Sequence, residues 1–336
     1  MTFSSIGDLA SRMMLSQSTA LAKRNMTRLS QELTSGMTSD VGRAVRNDFS
    51  SQMGWERTIA SSQVREKTLT EAMGRVQAKQ TVLGAISTEA SSLANEIGLA
   101  LTVGTGAGLD AASRHADDAL ASALSKLNTQ FAGRTLFAGT GVDGLAVATR
   151  DEIMASVKVA VAGAVTVEDY KTAVQGWMDD LATGFQTVAY LGTSEDTAPI
   201  RLSDNRTLDE GARADHPAVS KALQNLILAS LAGDDDLSLS HQTKAGLLQN
   251  SADGLRAAEG QITELHASLG FVEAEIVNAV VEAGAEIATA ELLRARTLGV
   301  DQYDTASKLQ EAELQLEKIY MLTARSARMS LLEYLR

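Results

Sequence analysis

The chain has 336 residues and no cysteine, is 44% apolar but only 4% aromatic, and carries a formal net charge of -12. The missing thiol excludes disulfides, thiolate metal sites and cysteine nucleophiles, and the acidic balance argues against nucleic acid or an anionic membrane as a partner, because both call for a basic surface. A core so poor in aromatics suits close-packed helices better than a sheet, and only Pro199 and Pro217 interrupt the backbone. No window approaches the run of apolar residues that a transmembrane helix needs. The start lacks a basic segment followed by an apolar one, so no cleavable secretory signal is expected.

From Leu15 the residues Leu15, Ala22, Met26, Leu29 and Leu33 mark one face of a helix, and "TSGMTSDVG" supplies a break. A longer seam runs from Trp55 to Leu101 through Ile59, Leu69, Met73, Val76, Leu83, Ala90, Ala94 and Ile97, with Ser62, Glu66, Gln80 and Ser87 as polar interruptions. "VGTGAGLD" closes that helix, and Asp110 to Phe131 reads as another, through Ala112, Ala116, Leu120, Leu124 and Leu127.

Next comes "GRTLFAGTGVDG", in which Gly139, Gly141 and Gly144 have the G-x-G-x-x-G spacing of a dinucleotide-binding turn. That fingerprint needs a strand before it and a crossover helix after it. Here a helix precedes and an acidic segment follows, so a tight turn where the chain leaves the helical body is the better reading.

Arg150 to Ala182 is expected to be mostly helical, patterned by Tyr170, Val174, Trp177 and Leu181. "FQTVAYLG", "APIRLSD" and "RTLDEGARA" are the best strand candidates. "HPAVSKALQNLILASLAG" returns to helix, and "GDDDLSLS" reads as a solvated acidic loop rather than a calcium loop, since no central Gly and terminal Glu follow. Ser240 to Arg296 is periodic again, "LGVDQYDTA" interrupts it, and a last helix from about Thr305 carries the seam Leu309, Ala312, Leu316, Ile319 and Thr323. Off that seam, Leu314, Met321, Leu322, Met329, Leu331, Leu332 and Leu335 leave the end apolar on most sides, which a helix tolerates only when buried or partnered.

The middle is acidic. Gly141 to Asn250 holds sixteen Asp and Glu against eight Lys and Arg, a net of -8. The histidines His115, His216, His241 and His266 are isolated from one another, and no metal, nucleophile-elbow or phosphate-loop pattern occurs. No catalytic, cofactor-binding or metal residue is therefore assigned, and the chain reads as a non-enzyme with no cofactor.

The N-terminal "LSQELTSGMTSDVGRAVRNDFSSQMGWERTI", the "GRTLFAGT" at Gly133 to Thr140 and the C-terminal "ASKLQEAELQLEKIYMLTARSARMSLLEYLR" resemble the flagellin-type axial proteins of the bacterial flagellum. More narrowly, they are similar to the hook-associated protein 3 family of junction proteins between hook and filament, with "R-x-L-F-A-G-T" the most discriminating segment. Where the family has an "N-x-P-x-D-D-P"-like turn after its "SG", this chain has "TSGMTSDVGRAVRND", without the proline or the paired aspartates.

The resemblance implies a mainly α fold. The N- and C-terminal regions, 1–140 and 241–336, would form a long antiparallel helical bundle or coiled coil, and a small α+β middle domain with short strands would be inserted at 141–240. It also implies a structural role in the flagellum, exported through the type III channel without a cleaved signal and located outside the cell. The partners would be hook-associated protein 1, flagellin, copies of the chain in a ring and an export chaperone. The assembly interface is expected at Leu9, Met13, Met14, Leu15, Met26, Leu29 and Leu33, and at Leu309, Leu316, Ile319, Met321, Leu322, Met329, Leu331, Leu332, Tyr334 and Leu335. Phe137, Ala138, Gly139 and Thr140 would form the family turn. Filament flagellin is the alternative, and from periodicity alone an ordinary intramolecular bundle shows the same stripes.

Overall fold

The computed structural model describes residues 6–141 and 144–334, with the side chains of 6–9, 11, 12 and 327–334 left aside. These residues are mainly helical. In chain order they form α1 (Ile6–Ser35), α2 (Val41–Ala44), α3 (Ser50–Val103), α4 (Gly106–Leu127), β1 (Gln130–Phe131), β2 (Arg134–Thr135), α5 (Arg150–Ala160), α6 (Val167–Asp179), β3 (Ile200–Ser203), β4 (Arg206–Leu208), α7 (Pro217–Leu231), α8 (His241–Leu298) and α9 (Gln302–Tyr334). The strands make two separate antiparallel pairs, β1 with β2 and β3 with β4.

Two compact units divide the chain, residues 1–63 with 284–336 and residues 64–283, so α3 and α8 each contribute a segment to both. The boundaries expected from sequence at 140/141 and 240/241 both fall inside the second unit.

In the first unit α1 packs against α9. They run antiparallel, because Met37 after α1 bridges Gly299 just before α9, while Lys23 lies 5.7 Å over the ring of Tyr320 deep in α9. The two breaks stitch each other: Thr38 N–H donates to Leu298 O at 2.7 Å and Val300 N–H to Gly36 O at 3.0 Å. Gly36 ends α1 at φ +69, where a side chain would be strained. Within this unit α3 meets α8 through Arg294 on Glu56, 3.3 Å, and Ser62 on Glu286, 2.6 Å.

The continuous hydrophobic core lies in the second unit. On α3, Ala72, Val76, Lys79, Leu83, Ile86, Ala90, Leu93 and Ile97 are buried at steps of three and four, and α8 answers with Leu248, Leu255, Ile262, Leu269 and Ile276. Gln77 bonds Glu273 at 2.6 Å and Arg256 bonds the Ala94 carbonyl at 3.2 Å, so α3 and α8 are antiparallel here as well. Capping boxes start α5 and α6: Thr149 with Glu152, and Thr166 with Asp169.

Three expectations are corrected. The helix expected to run to Phe131 stops at Leu127, because Ala132 (φ 50) and Gly133 (φ 78) take the two left-handed positions of a tight hairpin joining β1 to β2. "FQTVAYLG" forms no ladder strand. Phe185–Ala189 is one turn of π-helix, closed by Tyr190 N–H on Phe185 O at 2.8 Å, and Tyr190 makes a lone bridge to Val147. It stays wound because Phe185 packs edge-on against Trp177, at a centroid distance of 6.2 Å, an anchor no alternation pattern encodes. The stretch from Arg150 to Ala182 is mostly helical as expected, in two helices with a break between Ala160 and Val167. The aspartate run is not simply solvated: Lys158 sits between Asp234, 2.6 Å, and Asp236, 2.8 Å, whose hydrogen bonds raise its pKa.

Candidate functional site

The turn carrying the family-like motif is a docking point inside the second unit. Phe137, Ala138 and Gly139 are buried and only Thr140 is exposed. Gly139 has φ +66, and a Cβ there would stand 2.4 Å from the Glu195 carbonyl oxygen, so glycine is required on two counts. Thr140 N–H donates to Thr193 Oγ1 at 2.9 Å, Gly141 N–H to Ala138 O at 3.3 Å, and Thr193 N–H to Ala138 O at 3.0 Å. From the other side, Ala214 N–H donates to Phe137 O at 3.0 Å.

These bonds answer the question posed by the glycine spacing. A pyrophosphate cradle presents free N–H groups at the start of a helix, whereas those of Thr140 and Gly141 are already donated within the protein. Among the described residues, the next helix begins at Arg150.

Three loops therefore meet, and Arg213 ties two of them. It makes a bidentate pair with Asp215, 2.7 and 3.0 Å, and reaches Ser194 O at 2.8 Å and Asp196 at 2.9 Å. The hydrogen bond to Asp215 dominates and raises the pKa of Arg213. Tyr190, its hydroxyl donating to Thr193 O at 2.8 Å, is pushed by burial up to about 12.

Beneath the loops lies a buried ion triad. Glu210 Oε2 accepts from Lys79 Nζ at 2.6 Å, and its Oε1 accepts from Arg75 Nη2 at 2.7 Å and Nε at 3.1 Å. Burial pushes the Glu210 carboxyl up, but Lys79 and then Arg75 outweigh it, and the pKa ends lowered. The space enclosed by Arg75, Lys79, Thr135, Gly139, Thr197 and Glu210 is about 20 Å³, roughly the room for one water. Every oxygen of the Glu210 carboxylate is engaged by Lys79 or Arg75. It can fasten the Glu210 loop to α3.

Among the described residues, no group of three or more His, Asp or Glu is gathered to hold a metal ion. The histidines stay apart: His115 contacts Glu96, and His216, its pKa lowered by burial, caps α7 by accepting from Ala218 N–H at 3.2 Å. No helix among the described residues is long and apolar enough to cross a membrane.

The sequence-expected assembly residues divide by environment. Leu29 and Ile319 are buried between α1 and α9 and are used up within the chain. Leu15, Met26, Leu33, Leu309 and Leu316 are half-buried. Met13, Met14, Met321 and Leu322 stand more than half exposed, and Leu21, Met53, Tyr303, Leu314 and Tyr320, which the sequence reading had not assigned to the interface, are exposed with them. Leu9, Met329, Leu331, Leu332, Tyr334 and Leu335 lie outside the described side chains.

Sequence reasoning also missed Lys79 and Glu210. A signal existed for the first: Lys79 interrupts the otherwise apolar series Ala72, Val76, Leu83, Ile86, Ala90 at a helical step. Nothing local distinguishes Glu210 from its acidic neighbours. No model of a known protein family matches this chain, and no protein of curated function matches it.

Proposed function

We propose that this chain is a structural subunit of the bacterial flagellum, forming the junction layer between the hook and the flagellin filament, with its two ends paired as an antiparallel bundle of coiled-coil type. The observation that carries the reading is the state of the first unit. Among its described residues only a few apolar side chains are buried, Leu29, Ile59, Leu298 and Ile319 with three alanines, while Met13, Met14, Leu21, Leu314, Met321 and Leu322 remain in solvent. Exposed apolar side chains on paired helices need a further partner to remove them from water. Other subunits, supplying equivalent helices, would cover them and form the neighbouring layers.

The resemblance of both ends and of the segment around Gly139 to junction proteins supports the particular layer. The acidic residues of the middle region support an outward-facing role that keeps assemblies soluble. Filament flagellin is the second reading, favoured by the same exposed ends. Deleting the gene in its own bacterium separates the two, with hooks imaged by electron microscopy and flagellin assayed in the medium. Bare hooks with flagellin shed into the medium are expected for a junction subunit. Hooks without filaments and no shed flagellin would identify the filament subunit instead, and normal filaments would overturn both.

A further inference from the structure

The second unit contains a cleft of about 280 Å³ between α6, α7 and the start of α8, apart from the loop cluster around Gly139. Its size is near the lower end for small-molecule sites, roughly 300 Å³. Val174 and Leu228 contribute apolar surface, while Thr172, Lys221, Asn225 and Asn250 contribute polar groups.

The polar rim is held rigid. Gln224 Nε2 donates to Gln175 Oε1 at 2.6 Å, bridging α7 to α6, and Gln224 Oε1 accepts from Lys221 Nζ at 2.9 Å. Asn225 donates to the Lys221 carbonyl at 2.7 Å, and its amide packs so closely on Gly254 of α8 that a Cβ there would lie 1.9 Å from Asn225 Oδ1. Asn250 donates to Gly246 O at 2.8 Å.

What these bonds leave over defines a ligand. Lys221 is partly buried, and among the described residues its ammonium has one partner, the neutral amide of Gln224, and no carboxylate. The carboxylate lining the cleft, Glu168, is taken by Lys171 at 2.9 Å. The Oδ1 atoms of Asn225 and Asn250 and the hydroxyl of Thr172 carry no hydrogen bond among the described residues. An ammonium with spare protons attracts an anionic group, and amide oxygens beside a hydroxyl accept from hydroxyl donors.

We infer that this cleft is a binding site for a small polyhydroxylated carboxylate, the size of one sugar acid, with the carboxylate on Lys221 and hydroxyls on Asn250 and Thr172. The inference goes beyond the assembly role and does not depend on it.

Ligand-observed saturation-transfer NMR on the full chain tests it, with D-glucuronate as the acid probe and D-glucose as its neutral counterpart. Glucuronate is expected to bind, and glucose to bind about tenfold more weakly or not at all, the size of one charge-assisted hydrogen bond. Lys221→Met retains the backbone carbonyl that Asn225 uses, so it should fold with an unchanged melting curve and lose about the same factor for glucuronate alone. Thr172→Val, on the exposed side of α6, should weaken both sugars. No transfer from glucuronate, equal binding of the two sugars, or a folded Lys221→Met that binds glucuronate as wild type does would each overturn the assignment.

Discussion

The Lys79 ammonium lies 2.6 Å from the Glu210 carboxylate with both side chains 2% exposed, which makes a buried ion pair out of one residue from α3 and one from a loop 131 positions further on. Such a pair adds little over apolar side chains of the same shape, but removing one member strands the other in a low dielectric. Glu210→Gln should therefore cost about 3–5 kcal/mol in urea unfolding. Lys79→Met should cost less, since Arg75 still holds the carboxylate. Equal losses would mean that Arg75 does not share the load.

The same residue sets a pH dependence. Because the folded pKa of Glu210 is lowered, its contribution is fully present above the ordinary glutamate value of 4.5 and is lost as pH falls below it through the folded pKa. The stability gap between wild type and Glu210→Gln should thus be widest near neutrality and close on acidification. A gap that stays constant down to the acid transition would show that the carboxylate is not ionised in the fold.

Gly139 and Gly133 both have positive φ, but a Cβ at 139 would collide with Glu195 and Thr193, whereas nothing lies within 4 Å of one at 133. Gly133→Ala should cost only the left-handed backbone penalty, about 1–2 kcal/mol. Gly139→Ala should cost at least twice as much, about 3–4 kcal/mol, because the loop must also shift. Thermal unfolding of the two variants side by side measures the difference.

In the first unit, position decides whether an apolar residue serves the fold or the assembly. Leu29→Ala, at a buried site, should destabilise the α1–α9 pair by about 2–4 kcal/mol, read by hydrogen exchange of its amides. Met321→Asp with Leu322→Asp, on exposed positions, should leave exchange nearly unchanged yet abolish incorporation into the flagellum. Normal incorporation of that double variant would remove the support for the assembly reading.

Thr149 and Thr166 each close a capping box, and replacing either by Ala should cost about 1 kcal/mol. The hydrogen bonds that Glu152 and Asp169 accept from those caps lower their pKa values, so both boxes hold at neutral pH and loosen under acid, as their carboxylates protonate. Circular dichroism of the single variants across pH would show the wild-type advantage vanish in acid; persistence would exclude the box.

The long helices were legible because periodicity is a local property: the series from Leu69 to Ile97 and the end seam through Ala312 and Ile319 specify helix, face and length without a partner. The β3–β4 hairpin at Ile200–Leu208 was legible for the same reason, as two short runs flanking Asp204 and Asn205. The turn at Phe185 was not, since its winding rests on Trp177 eight residues back and on Tyr190 ahead. The exposed Leu21, Tyr303 and Tyr320 and the buried Leu29 look alike in a stripe, and only the crossing of α1 with α9 separates them.

Composition and spacing alone thus established a mainly helical chain, its acidic middle and its apolar ends, all of which depend on neighbours a few residues apart. The tertiary structure decided that Gly139 is a docking point with its neighbours' N–H groups already used, that Lys79 has a carboxylate waiting for it, and that Lys221 has none among the described residues. Those outcomes depend on which loops meet across long stretches of chain, where burial and charge pairing are set by three-dimensional closeness rather than by sequence interval.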